Sequence, residues 1–311
     1  MNEFLQDDHF QLARKSQVLQ TRAKLIQSIR FFFINSGFLE VETPLRIPSP
    51  APEENIEALA ADDWFLQTSP ELCMKRLMAA GYPHIFQISK CFRSGERGDK
   101  HLPEYTMLEW YVAGFGYQQL MDQCEALIMS AARDLNITEI IRQNEKISLT
   151  PPWEKITVAD AFLQYAPLSS EDALACDMFD EILVEYIEPH LGMHKPTFIY
   201  DYPAKLASLA KLKDDNPAVS ERFELYIGGM EIANGFSELT DANEQRQRFE
   251  EALKTRAAKN WARYAMPEKF LQSLASLPPC AGIALGIDRL VMIMTGAATI
   301  DDVVAFTPEN L

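Results

Sequence analysis

The run GIALGIDR, residues 282–289, decides how the rest of the chain is interpreted. It joins an apolar segment to the start of a helix, and its two glycines allow a ligand to approach the backbone closely. Arg289 opens the helix beside those glycines. Taken alone, the run describes only a strand end packed on a helix, so its significance depends on two features that precede it.

A charged hairpin is one of these features. The segments CFRSGE (91–96), HLPEY (101–105) and EWY (109–111) predict a strand, a charged loop and a returning strand. Such a hairpin projects Arg93 from a sheet, where a guanidinium binds a phosphate through two parallel hydrogen bonds. Tyr105 offers a ring on which a nucleotide base stacks. The alternative interpretation of these residues is a solvated loop.

The other feature is a long helical pattern followed by EVETP (40–44). Leu19, Ile26 and Phe33 recur every seven residues and predict a helix over 11–35, which Gly37 ends. A strand is expected directly after it, ahead of Pro44. A helix followed by a short strand that ends before a proline occurs in many folds, so this segment alone identifies none of them.

Strands joined by hairpins, with helices between them, predict an α+β fold: an antiparallel sheet flanked by helices. With no linker visible, we expect a single domain over 1–311. The remaining expectations are a loop at 47–63, a helix opened by Ser69 and Pro70, strands at 85–92, 105–115, 197–200, 222–227 and 231–238, helices at 117–135 and 171–190, a helix capped by Asp241, and a strand at 283–287 that leads into a closing helix.

The composition limits the classes of function. The formal net charge is −16, which argues against strong non-specific binding to a nucleic acid. The N-terminal residues lack the basic and apolar regions of a secretory signal, and no run is apolar enough to span a membrane. The five cysteines are scattered without a C-x-x-C pair. These features favour a cytoplasmic location with reduced thiols.

In this order and spacing, the three features resemble motifs 1, 2 and 3 of the class II aminoacyl-tRNA synthetases. Two further runs resemble lysyl-tRNA synthetase: TSPEL through KRL (68–77) is similar to that enzyme's lysine-site helix, and EIANGFSEL (231–239) is similar to its EIGNGFSEL run. The resemblance covers almost the whole chain. It implies formation of an aminoacyl-adenylate from ATP and a lysine-like amino acid.

The resemblance implies an ATP site with Mg²⁺. Arg93 would contact the α-phosphate and Arg289 the γ-phosphate, and these two are the expected catalytic residues; His101 would assist the leaving pyrophosphate. The carboxylates of Glu224 and Glu231 would hold Mg²⁺ between the phosphates, since hard oxygen ligands suit that ion. The full set of implied ATP-binding residues is Arg93, Ser94, Gly95, Glu96, His101, Leu102, Tyr105, Glu224, Leu225, Gly286 and Arg289.

It also implies an amino-acid site that is rich in carboxylates. A lysine-like substrate carries two ammonium groups, which Glu71, Glu109 and Glu238 would pair with. Its own carboxylate is already a nucleophile, so activation needs positioning and charge stabilisation and no general base. The implied substrate-binding residues are Ser69, Pro70, Glu71, Glu109, Tyr111, Glu231, Asn234, Phe236, Glu238 and Ala284.

Two positions depart from the pattern of the synthetases. The family has a glutamate two residues after the motif 2 arginine, to bind the adenine amino group, whereas here that position is Gly95 and the glutamate is Glu96. The family's H-N-P-E run reads HLPE (101–104) here, so Leu102 replaces an asparagine that contacts ATP. Adenine recognition is therefore the part of the site that the resemblance specifies least.

The acceptor is expected to be a protein. Because the chain begins almost at motif 1, we expect no anticodon-binding domain, which makes tRNA an unlikely partner. The run YTMLEWY (105–111), Ala233 and Ala284 resemble the stand-alone relatives of lysyl-tRNA synthetase that transfer (R)-β-lysine to a lysine side chain of elongation factor P. The methyl of Ala284 would favour a β-amino acid. Class II relatives pair through motif 1, so a homodimer is expected. The alternatives are a short lysyl-tRNA synthetase and an inactive regulatory paralogue.

Overall fold

A central β-sheet organises the structure, a computed structural model that describes residues 9–10, 12–142 and 145–311. The strands are β1 (Leu39–Glu40), β2 (Arg46–Ile47), β3 (Ala60–Ala61), β4 (Trp64–Leu66), β5 (His84–Phe92), β6 (Glu104–Ala113), β7 (Glu139–Arg142), β8 (Glu145–Ser148), β9 (Glu154–Thr157), β10 (Thr197–Pro203), β11 (Val219–Tyr226), β12 (Glu231–Ser237) and β13 (Cys280–Gly286). Eight of them form one sheet in the order β1-β5-β6-β13-β12-β11-β10-β9.

The large sheet is antiparallel through its centre and parallel at both edges. The strands β5, β6, β13, β12, β11 and β10 pair antiparallel, whereas β1 pairs parallel with β5 and β9 pairs parallel with β10. The predicted α+β fold is confirmed, with a mixed rather than purely antiparallel sheet. The strand positions predicted at the centre of the sheet agree with the structure to within a few residues.

Helices cover the sheet on both sides. They are α1 (Ser16–Asn35), α2 (Glu71–Ala79), α3 (Tyr117–Asp134), α4 (Val158–Tyr165), α5 (Ser170–Ala175), α6 (Phe179–Ile182), α7 (Ala242–Ala258), α8 (Glu268–Ser273) and α9 (Ile287–Thr295). As predicted, the carboxylate of Asp241 caps α7, because it accepts hydrogen bonds from two backbone N–H groups in the first turn. In the described part of the chain, none of the helices has the length and apolar composition needed to cross a bilayer.

Phe33 is the centre of an aromatic cluster that fixes α1 on the sheet. Its ring is fully buried and lies 4.7 Å from the ring of Phe86, 5.0 Å from that of Phe38 and 5.2 Å from that of Trp110. The predicted start of this helix, at residue 11, lies outside the described residues. Of the seven-residue series, only Phe33 is fully buried; the packed face is instead completed by Leu25 and Ile29.

The predicted helix over 171–190 is wrong. The chain instead forms two short helices, α5 and α6, followed by a π-turn at Leu183–Ile187 and a 3-10 turn at Glu188–His190. Asp177 interrupts the pattern because it adopts a left-handed conformation with φ of 61°. The strands β7, β8 and β9 and the helix α4 were not predicted, since each is short.

An ion pair connects the start of α9 to the first helix. A carboxylate oxygen of Asp288 lies 2.5 Å from Nη1 of Arg22, and its other oxygen accepts a 2.7 Å hydrogen bond from the backbone N–H of Thr106 in β6. Both charged side chains are largely buried, so breaking the pair would leave an uncompensated charge. The contact fixes the strand-to-helix junction at 286–289 relative to β6.

Candidate active site

A cavity of about 710 Å³ opens over the centre of the large sheet. Its walls come from the strand-loop-strand segment of β5 and β6, from β11 and β12, and from the junction of β13 with α9. The predicted residues that border it are Arg93, Glu96, His101, Leu102, Tyr105, Glu224, Glu231, Asn234, Ala284, Gly286 and Arg289. The structure therefore brings most of the predicted ATP-binding residues around one volume.

The other predicted residues lie outside the lining of that cavity. The side chain of Leu225 packs in the hydrophobic core, and the backbone N–H of Ser94 donates a 2.7 Å hydrogen bond to the carbonyl of Glu57. Pro70 and Gly95 also lie outside the lining of the cavity. So does a deeper group of predicted substrate-binding residues, which is described below: Ser69, Glu71, Glu109, Tyr111, Phe236 and Glu238.

Arg93 lies at the end of β5 with most of its hydrogen-bonding capacity free. Its Nη1 lies 3.5 Å from a carboxylate oxygen of Glu96, and its guanidinium lies 5.3 Å from the ring centre of Tyr105. Among the described residues, its buried Nε has no hydrogen-bond partner. Gly95 adopts a φ of 77°, a turn that brings Glu96 to the cavity wall one position later than in the synthetase pattern. A phosphate placed here would satisfy the free donors.

Arg289 is held in place by three contacts with two neighbouring residues, Glu231 and His101. Its Nη1 donates to the backbone carbonyl of Glu231 at 3.0 Å and to its carboxylate at 3.1 Å, and Nη2 lies 2.6 Å from Nε2 of His101. Burial, followed by the positive charge of Arg289, lowers the pKa of His101. A neutral ring accepts the guanidinium hydrogen bond at Nε2. In this arrangement His101 orients Arg289.

Glu224 and Glu231 project from neighbouring strands toward the same cavity. One oxygen of Glu224 lies 2.6 Å from Nη2 of Arg222, and the other accepts hydrogen bonds from Tyr202 at 2.7 Å and Tyr226 at 3.0 Å. Burial raises the pKa of Glu224. Burial acts in the same direction on Glu231, but the nearby arginines, Arg289 first, outweigh it and lower the pKa of that carboxyl.

The donor set of this pair fits Mg²⁺. Both Glu224 and Glu231 offer hard carboxylate oxygens, and the described residues contain no cluster of three or more potential ligands that would form an all-protein metal cage. Mg²⁺ is usually held by one or two carboxylates together with water and substrate phosphates. Two carboxylates at the wall of a phosphate-sized cavity correspond to that arrangement.

A deeper group of side chains forms the second part of the site. One oxygen of Glu109 accepts a 2.6 Å hydrogen bond from the Ser69 hydroxyl, and the other accepts a 3.0 Å hydrogen bond from the phenol of Tyr111. Glu109 is 1% exposed, and burial, followed by the charge of Glu71, raises its pKa to about 8. A buried carboxyl is ionised at lower free-energy cost when a positively charged group pairs with it.

Glu238 is the second buried carboxyl of this group. Its Oε1 has no hydrogen-bond partner among the described residues. A Cβ at Gly282 would lie 2.5 Å from that oxygen and 2.2 Å from the ring of Tyr111, so only glycine fits beneath them. Burial raises the pKa of Glu238 to about 8, although the nearby ammonium of Lys75 acts against it. Glu238 therefore presents an unsatisfied acceptor beside Tyr111.

The register of the sheet connects the two parts of the site. Glu109 lies directly opposite Ala284, Ala284 opposite Asn234, and Asn234 opposite Glu224. Directly paired residues project from the same face of a sheet, so these four side chains form one row. The row runs from the deep carboxylates at one end to the predicted Mg²⁺ residues at the other.

Several residues of the site escaped the sequence analysis. Lys75 lies between Glu71 and Glu238. Because Lys75 follows Glu71 by one helical turn, the sequence could have indicated its contact with Glu71. Glu53 borders the cavity, and burial raises its pKa to about 7 despite the opposing charge of Arg93. It belongs to an irregular loop, so no periodic pattern marked it.

The antiparallel sheet, the arginines at the motif 2 hairpin and at the junction with α9, and the paired carboxylates define the catalytic site of a class II synthetase. The family model described as tRNA synthetases class II (D, K and N) matches residues 5–310. The chain belongs to this family. Its sheet thus has the architecture that motifs 1, 2 and 3 predicted.

Within this class, the chain is similar to proteins named elongation factor P–(R)-β-lysine ligase. The protein of that name from Proteus mirabilis is 39% identical over 307 residues, covering 93% of this chain and 94% of the relative. Those from Salmonella dublin and Salmonella paratyphi B are 38% and 39% identical, each covering 94% of this chain and 95% of the relative. The chain is a member of this group of ligases.

Proposed function

We propose that the protein uses ATP to activate (R)-β-lysine as an aminoacyl-adenylate and transfers the β-lysyl group to a lysine side chain of elongation factor P. The observation that carries this proposal is the row from Glu109 to Glu224, which joins a site for ammonium groups to a site for phosphates. The name of the relatives supports the identity of the amino acid and of the acceptor.

Activation is a displacement at the α-phosphorus of ATP. The substrate carboxylate forms a bond to that phosphorus, the bond to the bridging oxygen breaks, and pyrophosphate leaves. Negative charge grows on the phosphoryl oxygens, where the free donors of Arg93 stabilise it. Arg289 is oriented by His101 and Glu231 toward the end of the cavity that would hold the outer phosphates. Bound Mg²⁺ supplies additional neutralisation of phosphate charge.

Transfer to the acceptor is a second displacement. The neutral amine of an acceptor lysine attacks the acyl carbon of the adenylate, AMP leaves, and the amine nitrogen loses a proton to form the amide. The deep carboxylates hold the ammonium groups of the substrate during this step. Since they lie at the far end of the row from the phosphates, the acyl carbon is left between them near Ala284 and Asn234.

Adenine binding is proposed to involve Tyr105 and Glu96. The phenol of Tyr105 donates a 2.9 Å hydrogen bond to the carbonyl of Thr68, which fixes the ring beside Arg93 at the cavity wall. The carboxylate of Glu96 lies at the same wall. A carboxylate accepts the hydrogen bond that the exocyclic amine of adenine donates. This pair replaces the usual glutamate and asparagine contacts.

The protein is proposed to act in the cytoplasm as a homodimer. All five cysteines are free thiols, which is typical of a reducing compartment. The apolar side chains of Phe31, Ile34 and Leu39 are about half exposed or more, and they lie together on α1 and β1. An apolar surface at motif 1 is the place where a second copy would pack. Ile34→Glu is expected to convert a dimer to a monomer in light scattering, and a wild-type monomer would contradict the proposal.

Mass spectrometry of the acceptor tests the proposed function most directly. Elongation factor P is incubated with the protein, ATP, Mg²⁺ and one lysine isomer at a time, and a mass increase equal to one lysyl group is expected with (R)-β-lysine. Acylation of tRNA in a parallel reaction would favour the alternative of a lysyl-tRNA synthetase, against which the net charge of −16 argues. No pyrophosphate exchange with any lysine isomer would favour an inactive paralogue.

A further inference from the structure

Lys75 is a buried cation inside the predicted amino-acid site. It lies on α2, one turn after Glu71, and only 1% of its surface is exposed. Its Nζ lies 2.5 Å from Oε1 of Glu71 and forms an ion pair with Oε2 of Glu238. The same nitrogen lies 5.0 Å from the ring centre of Phe236. The chain therefore places its own ammonium among the carboxylates that are predicted to bind the substrate.

This lysine stays charged. Burial acts to lower the pKa of Lys75, but the carboxylates of Glu238 and Glu71 outweigh it and raise that pKa. Removing a partner from such a buried ion pair is strongly unfavourable, because the remaining charge has neither water nor a counter-ion. The aromatic face of Phe236 adds an attraction of the cation–π type.

The formal charges of the cluster then match one class of substrate. Glu71, Glu109 and Glu238 carry three negative charges when ionised, and Lys75 neutralises one of them. Two negative charges remain, and a substrate with two ammonium groups makes the buried cluster neutral. A substrate with one ammonium leaves an uncompensated carboxylate, which a low-dielectric site disfavours.

Lys75 also determines which oxygen of Glu238 faces the substrate. Because Oε2 is paired with Lys75, Oε1 is the oxygen left beside Tyr111 and above Gly282. Glu109 keeps both of its oxygens in hydrogen bonds from Ser69 and Tyr111. The distal ammonium of the substrate thus has a defined position between two oriented carboxylates.

We propose that Lys75 is a specificity-determining residue that sets the charge of the amino-acid site to match a diamino acid. The inference rests on the proposed function, since it deepens the role of the same site. It makes a distinct prediction. Without Lys75, the cluster with a bound diamino acid has one negative charge too many, and one carboxyl must keep a proton to restore neutrality.

The pH dependence of Lys75→Met tests this prediction. ATP–pyrophosphate exchange with (R)-β-lysine is measured from pH 6 to pH 9. For the variant, kcat/KM is expected to fall about tenfold per pH unit once the retained proton dissociates. In the wild type, kcat/KM is expected to rise toward pH 8, as Glu109 and Glu238 lose the protons that they carry in the free protein, and not to fall above it. Lys75→Arg keeps the charge and is expected to keep the wild-type profile even if its activity is lower. The exposed Lys155→Met is the matched control.

Chemical rescue separates charge from packing. Lys75→Ala is assayed with added propylammonium or with n-propanol, which has a similar shape and no charge. We expect propylammonium to restore exchange at pH 9 and to raise the Tm, and n-propanol to do neither. Equal rescue by both compounds would show that Lys75 only fills space. The Tm measurement keeps the test decisive if Lys75→Met does not fold.

The failures of the two proposals are distinguishable. A wild-type protein with no exchange for any lysine isomer overturns the proposed function, and the inference falls with it. Wild-type exchange with (R)-β-lysine, combined with an unchanged pH profile in Lys75→Met, overturns the role of Lys75 alone. A further comparison uses 6-aminohexanoic acid, which carries one ammonium: in Lys75→Met it leaves two carboxylates uncompensated, so its kcat/KM is expected to fall further than that of (R)-β-lysine.

Discussion

Glu109 and Glu224 lie on one straight row across the sheet, on strands that are three positions apart. Neighbouring strands are about 4.8 Å apart, so their backbones are separated by roughly 14 Å. That span accommodates an extended diamino acid followed by a phosphate chain. We therefore expect the substrate carboxylate to meet the α-phosphate near the side chains between them, Asn234 and Ala284.

Arg93→Ala is expected to abolish adenylate formation with little effect on folding. The Arg93 guanidinium makes only a 3.5 Å ion pair with Glu96, and its Nε has no partner in the described residues. Loss of one donor to a developing oxyanion lowers kcat by about 10²- to 10³-fold. Pyrophosphate exchange measures the effect, and the exposed Arg246→Ala serves as the control. Near-normal exchange in Arg93→Ala would refute the assignment.

The raised pKa of Glu109 predicts opposite effects of pH on stability and on binding. The folded protein keeps this carboxyl protonated up to about pH 8, whereas its ordinary pKa is 4.5. Its contribution to stability is therefore complete below about pH 4.5 and is lost as the pH rises through 8. The KM for (R)-β-lysine is expected to decrease over the same interval, because the ammonium binds the ionised form.

Glu109→Gln tests both effects. The variant does not titrate, so its free energy of unfolding should exceed that of the wild type at pH 9 by on the order of 5 kcal/mol, with a difference of roughly 1 kcal/mol at pH 5. Activation of (R)-β-lysine should be lost. Thermal denaturation at the two pH values measures stability, with the exposed Glu104→Gln as the control. If the variant and the wild type differ in stability by the same amount at pH 5 and at pH 9, burial does not raise the pKa of Glu109.

The centre of the fold was predictable because its signals are local. Apolar strands joined by a charged hairpin predicted that Arg93 projects from the sheet, and Arg93 lines the cavity. Glu224 and Glu231 were expected together from the resemblance to the synthetases, and they lie on the neighbouring strands β11 and β12. The region of residues 158–190 was not predictable in the same way. Its helices are only four to eight residues long, so tertiary packing rather than periodicity determines where they begin and end.

The acidic cluster shows a second limit of sequence analysis. Glu71, Glu109 and Glu238 were expected to bind the ammonium groups of one substrate, and the structure places them around the same buried volume. The charge of that volume depends on Lys75, which the sequence presents as one of many lysines on a helix. Only the ion pair of Lys75 with Glu238, which the fold brings beside α2, shows that its ammonium is buried, since a helical lysine is normally solvated.

Ala284→Gly is expected to increase the use of α-lysine. The methyl of Ala284 stands in the row between Glu109 and Asn234, at the point where the α-carbon of the substrate would lie. Removing one methyl changes such discrimination by about tenfold. The ratio of kcat/KM for α-lysine to that for (R)-β-lysine is measured by pyrophosphate exchange. Ala281→Gly on the same strand is the matched control, because that side chain packs in the core and does not line the cavity; an unchanged ratio in Ala284→Gly would refute the pocket argument.

Arg256→Met is expected to raise the KM for ATP as well as lower stability. The buried guanidinium of Arg256 donates to the carbonyls of Glu53 and Ile56, at 2.9 Å and 2.6 Å, and to the carboxylate of Glu57 at 2.5 Å. It thereby holds the loop that places Glu53 at the cavity wall. Loss of these contacts should lower the free energy of unfolding by about 3 kcal/mol. It should also raise that KM about tenfold, with a smaller change in kcat. Thermal denaturation and exchange kinetics measure the two effects, with Lys254→Met on the same helix as control. A lower Tm with unchanged KM would show that the loop stabilises the fold without shaping the site.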